Sequence, residues 1–318
     1  MPVIRGGLRV LAWGSLAVVA AGLAGAGMLL LPVAGDPGER IRQRAGVLQQ
    51  VRVERRWREG DSSYRDLFLS SSSGLTVSLT VRRPAAARGR LPAVLILGGL
   101  RTGRRAAQLV AGEPPLVVAA LSYPYHGPAR LQGLDLIRHV PTVQRAVLDT
   151  PPAVLLALDY LHALPGVDPA RVELVGVSLG AFFVAPAAAL DRRVRRVWLI
   201  QGAGDPAAVL DHQLRDDVPR PWLRRGLVRF LLLVTDGAEL APERWLPGIA
   251  PRPVMVVNSR GDTAFPPEAV RALHAAVRPP GEILWLEGEH ITPARTRVIE
   301  ALSGTVISRI VAGGVPPR

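Results

Sequence analysis

Three residues in this chain have the types and the order needed for acyl transfer. Ser178 stands in Val172-Glu-Leu-Val-Gly-Val-Ser-Leu-Gly-Ala-Phe-Phe183, two positions from Gly176 on one side and Gly180 on the other. A serine hydroxyl attacks a carbonyl carbon only when a base takes its proton. The base works well only when a carboxylate fixes its tautomer and supports the imidazolium. The serine pattern alone is weak, because a 318-residue chain with 32 glycines meets G-x-S-x-G by chance roughly once in eight such sequences. Its surroundings must decide.

Six histidines compete for the role of base: His126, His139, His162, His212, His274 and His290. His162 and His274 fall inside predicted helices and read as surface or packing residues. His126, in Ser122-Tyr-Pro-Tyr-His-Gly127, follows a strand; a structural loop histidine is favoured there over a substrate contact. His290, in Leu286-Glu-Gly-Glu-His-Ile-Thr-Pro293, comes immediately after the final apolar strand. For the acid, Asp262 follows the strand Val254–Val257 in Asn258-Ser-Arg-Gly-Asp-Thr-Ala-Phe-Pro-Pro267. A helix cap is the competing reading of Asp262, and Pro266-Pro267 fits it poorly. Asp205, in Gln201-Gly-Ala-Gly-Asp205, is the second choice.

These residues act together only if the chain brings them to one place. Pro92–Leu97, Leu116–Leu121, Val172–Val175, Val197–Ile200, Val254–Val257 and Ile283–Leu286 are short, continuous apolar runs. Such runs belong to a parallel sheet covered on both faces. Between them lie segments with helical spacing: Arg104–Val110, residues 143–163, the stretch after Ser178 through Ala189, Glu268–Val277 and Pro293–Val311. Pro151-Pro152 mark a helix start or a break inside the second of these. Before the alternation, residues 47–83 have β character, with a hairpin at the turn Ser71-Ser-Ser-Gly74. About eight strands are expected, in an α/β domain with a mostly parallel sheet and helices on both faces. Ser178, Asp262 and His290 then all lie at strand C-termini, the edge where such sheets build their sites.

Composition narrows the classes of function. Apolar residues make up 48% of the chain, which fits a globular body with a large core. There is no cysteine, so disulfides, thiolate metal sites and cysteine nucleophiles are excluded. The net charge of +13 comes from arginine alone, scattered along the chain and often beside acids. No nucleic-acid-binding motif accompanies it, and an arginine-biased solvated surface is the expectation.

From Val10 to Gly35 the chain carries no charge, with Arg5 and Arg9 ahead of the run and Asp36, Glu39 and Arg40 behind it. A stretch of about 20 apolar residues crosses a bilayer as a helix. The leading arginines place the N-terminus in the cytoplasm and the body on the exported side, periplasmic or extracellular. An uncleaved transmembrane anchor over residues 1–35 is favoured; a cleaved signal ending near Val33-Ala34-Gly35 is the alternative. Residues 36–49 then read as a linker and 50–318 as the catalytic domain. Within it, residues 205–250 form an insertion containing Pro221–Val234, whose apolar face suits a cap or a second membrane contact.

The order Ser178…Asp262…His290, each residue at a strand end, resembles the α/β-hydrolase superfamily. The likeness is nearest to dienelactone-hydrolase and prolyl-oligopeptidase-like serine hydrolases, and it covers roughly residues 50–312. It implies the α/β-hydrolase fold and hydrolysis of a carboxylic ester or related acyl bond through an acyl-serine. Ser178 would be the nucleophile, His290 the base and Asp262 its partner, with no metal or cofactor. Peptidase or acyltransferase chemistry on the same three residues, or an idle binding scaffold, are the alternatives. The implied substrate is a small acyl or ester compound of apolar character. The family's oxyanion donors are backbone N–H groups, which by position would be those of Leu179 and Leu100. Many relatives carry His-Gly where Gly98-Gly99 stands, and a plain tight turn is an equal reading of that pair.

Overall fold

The computed structural model describes residues 35–99, 102–128 and 138–312 of the chain. Nine strands are found among them, in the order β1-β2-β3-β5-β4-β6-β7-β8-β9. They are β1 (Leu48–Glu59), β2 (Ser62–Ser71), β3 (Thr76–Pro84), β4 (Leu91–Leu97) and β5 (Val117–Leu121), then β6 (Val167–Val177), β7 (Arg196–Ile200), β8 (Val254–Ser259) and β9 (Glu282–Leu286). The first three strands and the β3–β5 junction are antiparallel; from β5 through β4 to β9 every pairing is parallel.

The expectation of about eight strands falls one short. β1 exposes nearly all of its side chains, Arg52, Arg55, Arg56 and Arg58 among them, so it shows little alternation. Its charges suit a sheet edge, where they discourage pairing with a further chain.

The helices are α1 (Pro37–Ala45), α2 (Ala106–Leu109), α3 (Val140–Ala163) and α4 (Gly180–Leu190), followed by α5 (Pro206–Gln213), α6 (Pro221–Val234), α7 (Pro242–Trp245), α8 (Pro267–Ala276) and α9 (Thr296–Val311). Most of the expected linker is therefore helical. Asp36 caps α1 by accepting a hydrogen bond from the Glu39 N–H at 2.8 Å, and Pro37 opens the first turn. Ile41 and Ala45 bury the helix against the body, and Arg44 pairs with Asp149 at 2.5 Å.

α3 is continuous through Pro151 and Pro152, which neither start nor break it. Each proline removes one intrahelical donor. Both are buried within the run Thr150–Leu158, and packing of that run against the sheet outweighs the local preference.

Two apolar clusters sandwich the sheet. One joins the strands to α1, α3, α4 and α8, through residues such as Leu79, Leu95, Leu156, Leu158 and Leu273. The other joins them to α2 and α9, through Val94, Ile96, Val175, Trp198, Leu302 and Val306. Among the described residues no helix is long and apolar enough to cross a membrane. The expected N-terminal span lies outside the described residues, apart from Gly35 at its end.

Candidate active site

β6 ends at Val177 and α4 begins at Gly180, leaving Ser178 in the turn with φ +55°. That left-handed conformation is costly for a residue with a Cβ and persists only when the surroundings enforce it. Here the Ser178 N–H donates to the Ile200 carbonyl at 2.9 Å, and the Ser178 carbonyl accepts from the Ala181 N–H at 3.1 Å. The two flanking glycines let strand and helix meet. A Cβ on Gly180 would press into the carbonyl oxygen of Leu97, and one on Gly176 into Val184 and Ala181. The G-x-S-x-G spacing is thus a packing requirement of the β6–α4 turn.

Ser178 Oγ lies 2.9 Å from His290 Nε2, and His290 Nδ1 lies 2.7 Å from Asp262 Oδ2. The other carboxylate oxygen, Oδ1, accepts from the Ala264 N–H at 2.8 Å. Asp262 is nearly buried and His290 partly so, while Phe265 meets the imidazole edge-on with centroids 5.4 Å apart. An acceptor at Nδ1 leaves the lone pair of a neutral imidazole on Nε2, facing the serine hydroxyl. Residues 112 and 28 positions apart in sequence thus form one chain of hydrogen bonds.

Asp205 lies elsewhere. It caps α5, accepting from the Ala208 N–H at 3.1 Å, and makes no hydrogen bond to His290 among the described residues. Of the other histidines, His212 faces the Thr263 carbonyl, His162 the Leu158 carbonyl and His274 the Asn258 side chain. His126 is exposed.

Gln201 is a participant that the sequence reading passed over. It follows β7 with φ +46° and is completely buried. Its Nε2 donates to Ser259 Oγ at 2.6 Å and to the Glu289 carbonyl at 3.0 Å. Its Oε1 accepts from the Ile291 N–H at 2.5 Å. One amide therefore grips the backbone on both sides of His290. Arg295 Nη1 adds a bond to the His290 carbonyl at 2.7 Å, and the Gly261 N–H ties the aspartate loop to the Gly288 carbonyl at 3.0 Å. The only local signal for Gln201 is a polar residue directly after an apolar strand, which many turns share.

At the N-terminal end of α4, the Leu179 N–H has no hydrogen-bond acceptor among the described residues. It sits at the positive end of a helix, beside the serine, where it can receive negative charge. Leu100 lies outside the described residues. The preceding Gly98 carbonyl accepts from the Tyr123 hydroxyl at 2.7 Å. Burial pushes the Tyr123 phenol well above its ordinary pKa, so it stays protonated and keeps that bond at neutral pH.

A cavity of about 610 Å³ adjoins Ser178 and His290. Its walls are the sheet residues Val94, Ile96, Val175 and Ile200, together with side chains of α2, α5 and α9. From the 205–250 insertion, Val209, Leu210 and Gln213 on α5 reach the cavity. α6 does not contribute to the lining, and it leaves Trp222, Leu223, Phe230 and Leu233 exposed.

No family model and no curated protein matches the chain. Solved structures do. Acetyl xylan esterase 1 from Thermoanaerobacterium sp. JW/SL YS485 aligns at TM-score 0.62 and 18% identity, over 88% of this chain and 95% of its own. An α/β-hydrolase from Penicillium sp. sh18 aligns at TM-score 0.54 and 16% identity, over 78% and 99%. A glucuronoyl esterase from Solibacter usitatus aligns at TM-score 0.53 and 14% identity, over 86% and 91%. At these identities the likeness shows a shared fold.

Proposed function

We propose that this protein of the α/β-hydrolase fold is a serine hydrolase that cleaves carboxylic esters. The observation that carries the reading is the hydrogen-bonded chain from Ser178 Oγ through His290 to Asp262, built on a serine held at φ +55°. The esterases among the structural neighbours point to the same class of bond.

In this reading Ser178 Oγ bonds to the ester carbonyl carbon as its proton passes to His290 Nε2. The carbonyl oxygen takes up negative charge and is held by the Leu179 N–H, with Leu100 the proposed second donor. Asp262, bonded to Nδ1, stabilises the imidazolium. Collapse breaks the bond to the alcohol oxygen, which leaves with the proton from His290. Water then attacks the acyl-serine, gives its proton to His290, and the carboxylic acid departs as Ser178 regains its hydrogen.

Val209 and Leu210 beside the cavity support a capping role for the insertion. The uncharged run Val10–Gly35 behind Arg5 and Arg9 supports an exported, membrane-anchored body. Fractionation of cells expressing the full chain tests that placement, and recovery of the body in the cytoplasm refutes it. For the chemistry, a fluorophosphonate probe should label the wild-type protein and fail on Ser178→Ala. A wild-type protein inert to both the probe and short-chain esters refutes the enzyme assignment.

A further inference from the structure

The cavity beside Ser178 is unusual in what it lacks. One-fifth of the chain is charged, yet among the described residues no aspartate, glutamate or arginine lines this space. Among the described lining residues His290 is the one titratable group, and besides Ser178 the polar side chains Thr102, Gln213, Thr292 and Ser303 are outnumbered by apolar ones. A site for a sugar or a peptide needs polar groups that converge on hydroxyls or amides, because each one buried without a partner is costly. An apolar wall instead rewards aliphatic surface.

The cavity also runs in a defined direction. Val94 lies level with Glu173 on β6, and Ser178 stands five residues further along the chain, in the turn just past the strand's end, about 16 Å at the usual rise. On the facing helix the lining residues are Ile299, Leu302, Ser303, Val306, Ile307 and Ile310. From first to last they are eleven steps apart, again about 16 Å along α9. Their spacing forms one stripe of the helix. Leu302, Val306 and Ile310 are buried from solvent and still border empty space, so the gap lies inside the second apolar cluster.

We infer that this slot between α9 and the sheet holds the acyl chain of the substrate, and that the protein prefers esters of medium-to-long fatty acids. An all-trans chain advances about 1.2 Å per bond, as the extended backbone does over its three bonds per residue. A slot of about 16 Å therefore takes roughly ten to fourteen carbons beyond the serine. The inference rests on the hydrolase reading and adds the substrate class. It assigns Val306 and Leu302 as specificity-determining residues.

The test uses the purified full chain and p-nitrophenyl acetate, butyrate, octanoate and dodecanoate, kept below their micelle concentrations. Buried methylenes each strengthen binding by about fourfold, so kcat/KM for dodecanoate should exceed that for acetate by at least about 100-fold. Val306→Phe, which fills the slot midway along α9, should lower the dodecanoate-to-acetate ratio at least about tenfold. Should Val306→Phe fail to fold, Ser303→Phe on the half-buried edge of the same stripe makes the same prediction.

A direct measurement needs no turnover: Ser178→Ala should bind cis-parinaric acid saturably at one site, and dodecanoate should displace it. A flat or acetate-favouring profile, an unchanged ratio in the plugged variants, or no saturable binding overturns the acyl-slot inference. Ser178-dependent acetate hydrolysis alongside any of these leaves the hydrolase reading standing. Ester turnover that survives undiminished in Ser178→Ala removes the hydrolase reading itself.

Discussion

The two faces of the sheet are built from the same kinds of residue and differ in how they are filled. Against α1, α3, α4 and α8, side chains such as Leu79, Leu95, Leu156 and Leu158 are fully excluded from solvent and form a continuous core. Against α2 and α9, residues just as hidden from solvent, among them Val175, Leu302 and Val306, wall a cavity of about 610 Å³. Close packing is the ordinary state of a protein interior, and empty apolar volume forfeits the contacts that would have filled it. The lesson is a division of labour. One face is filled and the other encloses open volume, and Ser178 stands at the strand end that borders the open side.

The largest break in that comparison comes at Ser178 itself. Ser178→Ala should lower kcat/KM for any ester by roughly 10⁴-fold or more, as loss of a serine nucleophile does elsewhere. The thermal midpoint should hardly move, because neither face loses a packed group. A variant that melts much earlier would mean that the serine serves the fold more than the chemistry.

Next comes a pair of matched truncations. Leu156→Ala, in the filled face, should cost about 3–4 kcal/mol of unfolding free energy, since the whole side chain leaves a new void. Leu302→Ala, beside the existing cavity, should cost only about 1 kcal/mol, because part of its surface has no partner atoms to lose. Urea denaturation of both variants measures the difference. Equal costs would show that α9 closes onto the sheet in solution and that the two faces are alike.

Gln201→Met tests how the rim between the faces is held. The variant keeps the bulk of the side chain and removes its bonds to Glu289, Ile291 and Ser259. Displacement of His290 by a fraction of an ångström to 1 Å should lower kcat about tenfold to a hundredfold. KM should stay nearly constant, because the acyl slot is untouched. A rise in KM with kcat unchanged would place Gln201 in binding rather than in positioning.

How much of this was legible depended on how local each cause is. The β6–α4 turn was readable because strand, glycine, serine, glycine and helix are adjacent, and the order of Ser178, Asp262 and His290 follows strand ends that announce themselves as apolar runs. β1 was only partly visible: with both faces of the strand exposed, no alternation sets in beyond a few residues. α1 hid behind its charges, although Asp36, Pro37 and Glu39 carry the ordinary signals of a helix start. Pro151-Pro152 misled because tertiary packing outweighs propensity in a buried helix. Gln201 acts on residues 88 and 90 positions away, so no window of sequence contains its role. The cavity leaves no trace either: Leu302, Val306 and Ile310 have the spacing of a core helix, whether what they face is solid or empty.

The smallest expected effect is electrostatic and belongs to the filled face. His274, on α8, has its Nε2 at 3.0 Å from Asn258 Oδ1, while Asn258 Nδ2 donates to the Gly202 carbonyl at 3.1 Å. That second bond fixes the amide, so Nε2 carries the hydrogen and Nδ1 is the site left for a proton. Burial makes that proton costly and lowers the pKa of His274 below its ordinary 6.5. Between the lowered folded value and 6.5 the unfolded chain binds the proton more readily than the native one does. Stability contributed by this group is therefore complete above pH 6.5 and falls as the pH drops through that window. Carboxylates elsewhere add their own acid dependence, so the measurement is a difference. Wild type should lose more stability between pH 7 and pH 5 than His274→Gln, whose side chain can still donate to Asn258 but does not titrate. Equal slopes would mean that the filled face admits water at α8 and that it is less closed than its apolar core implies.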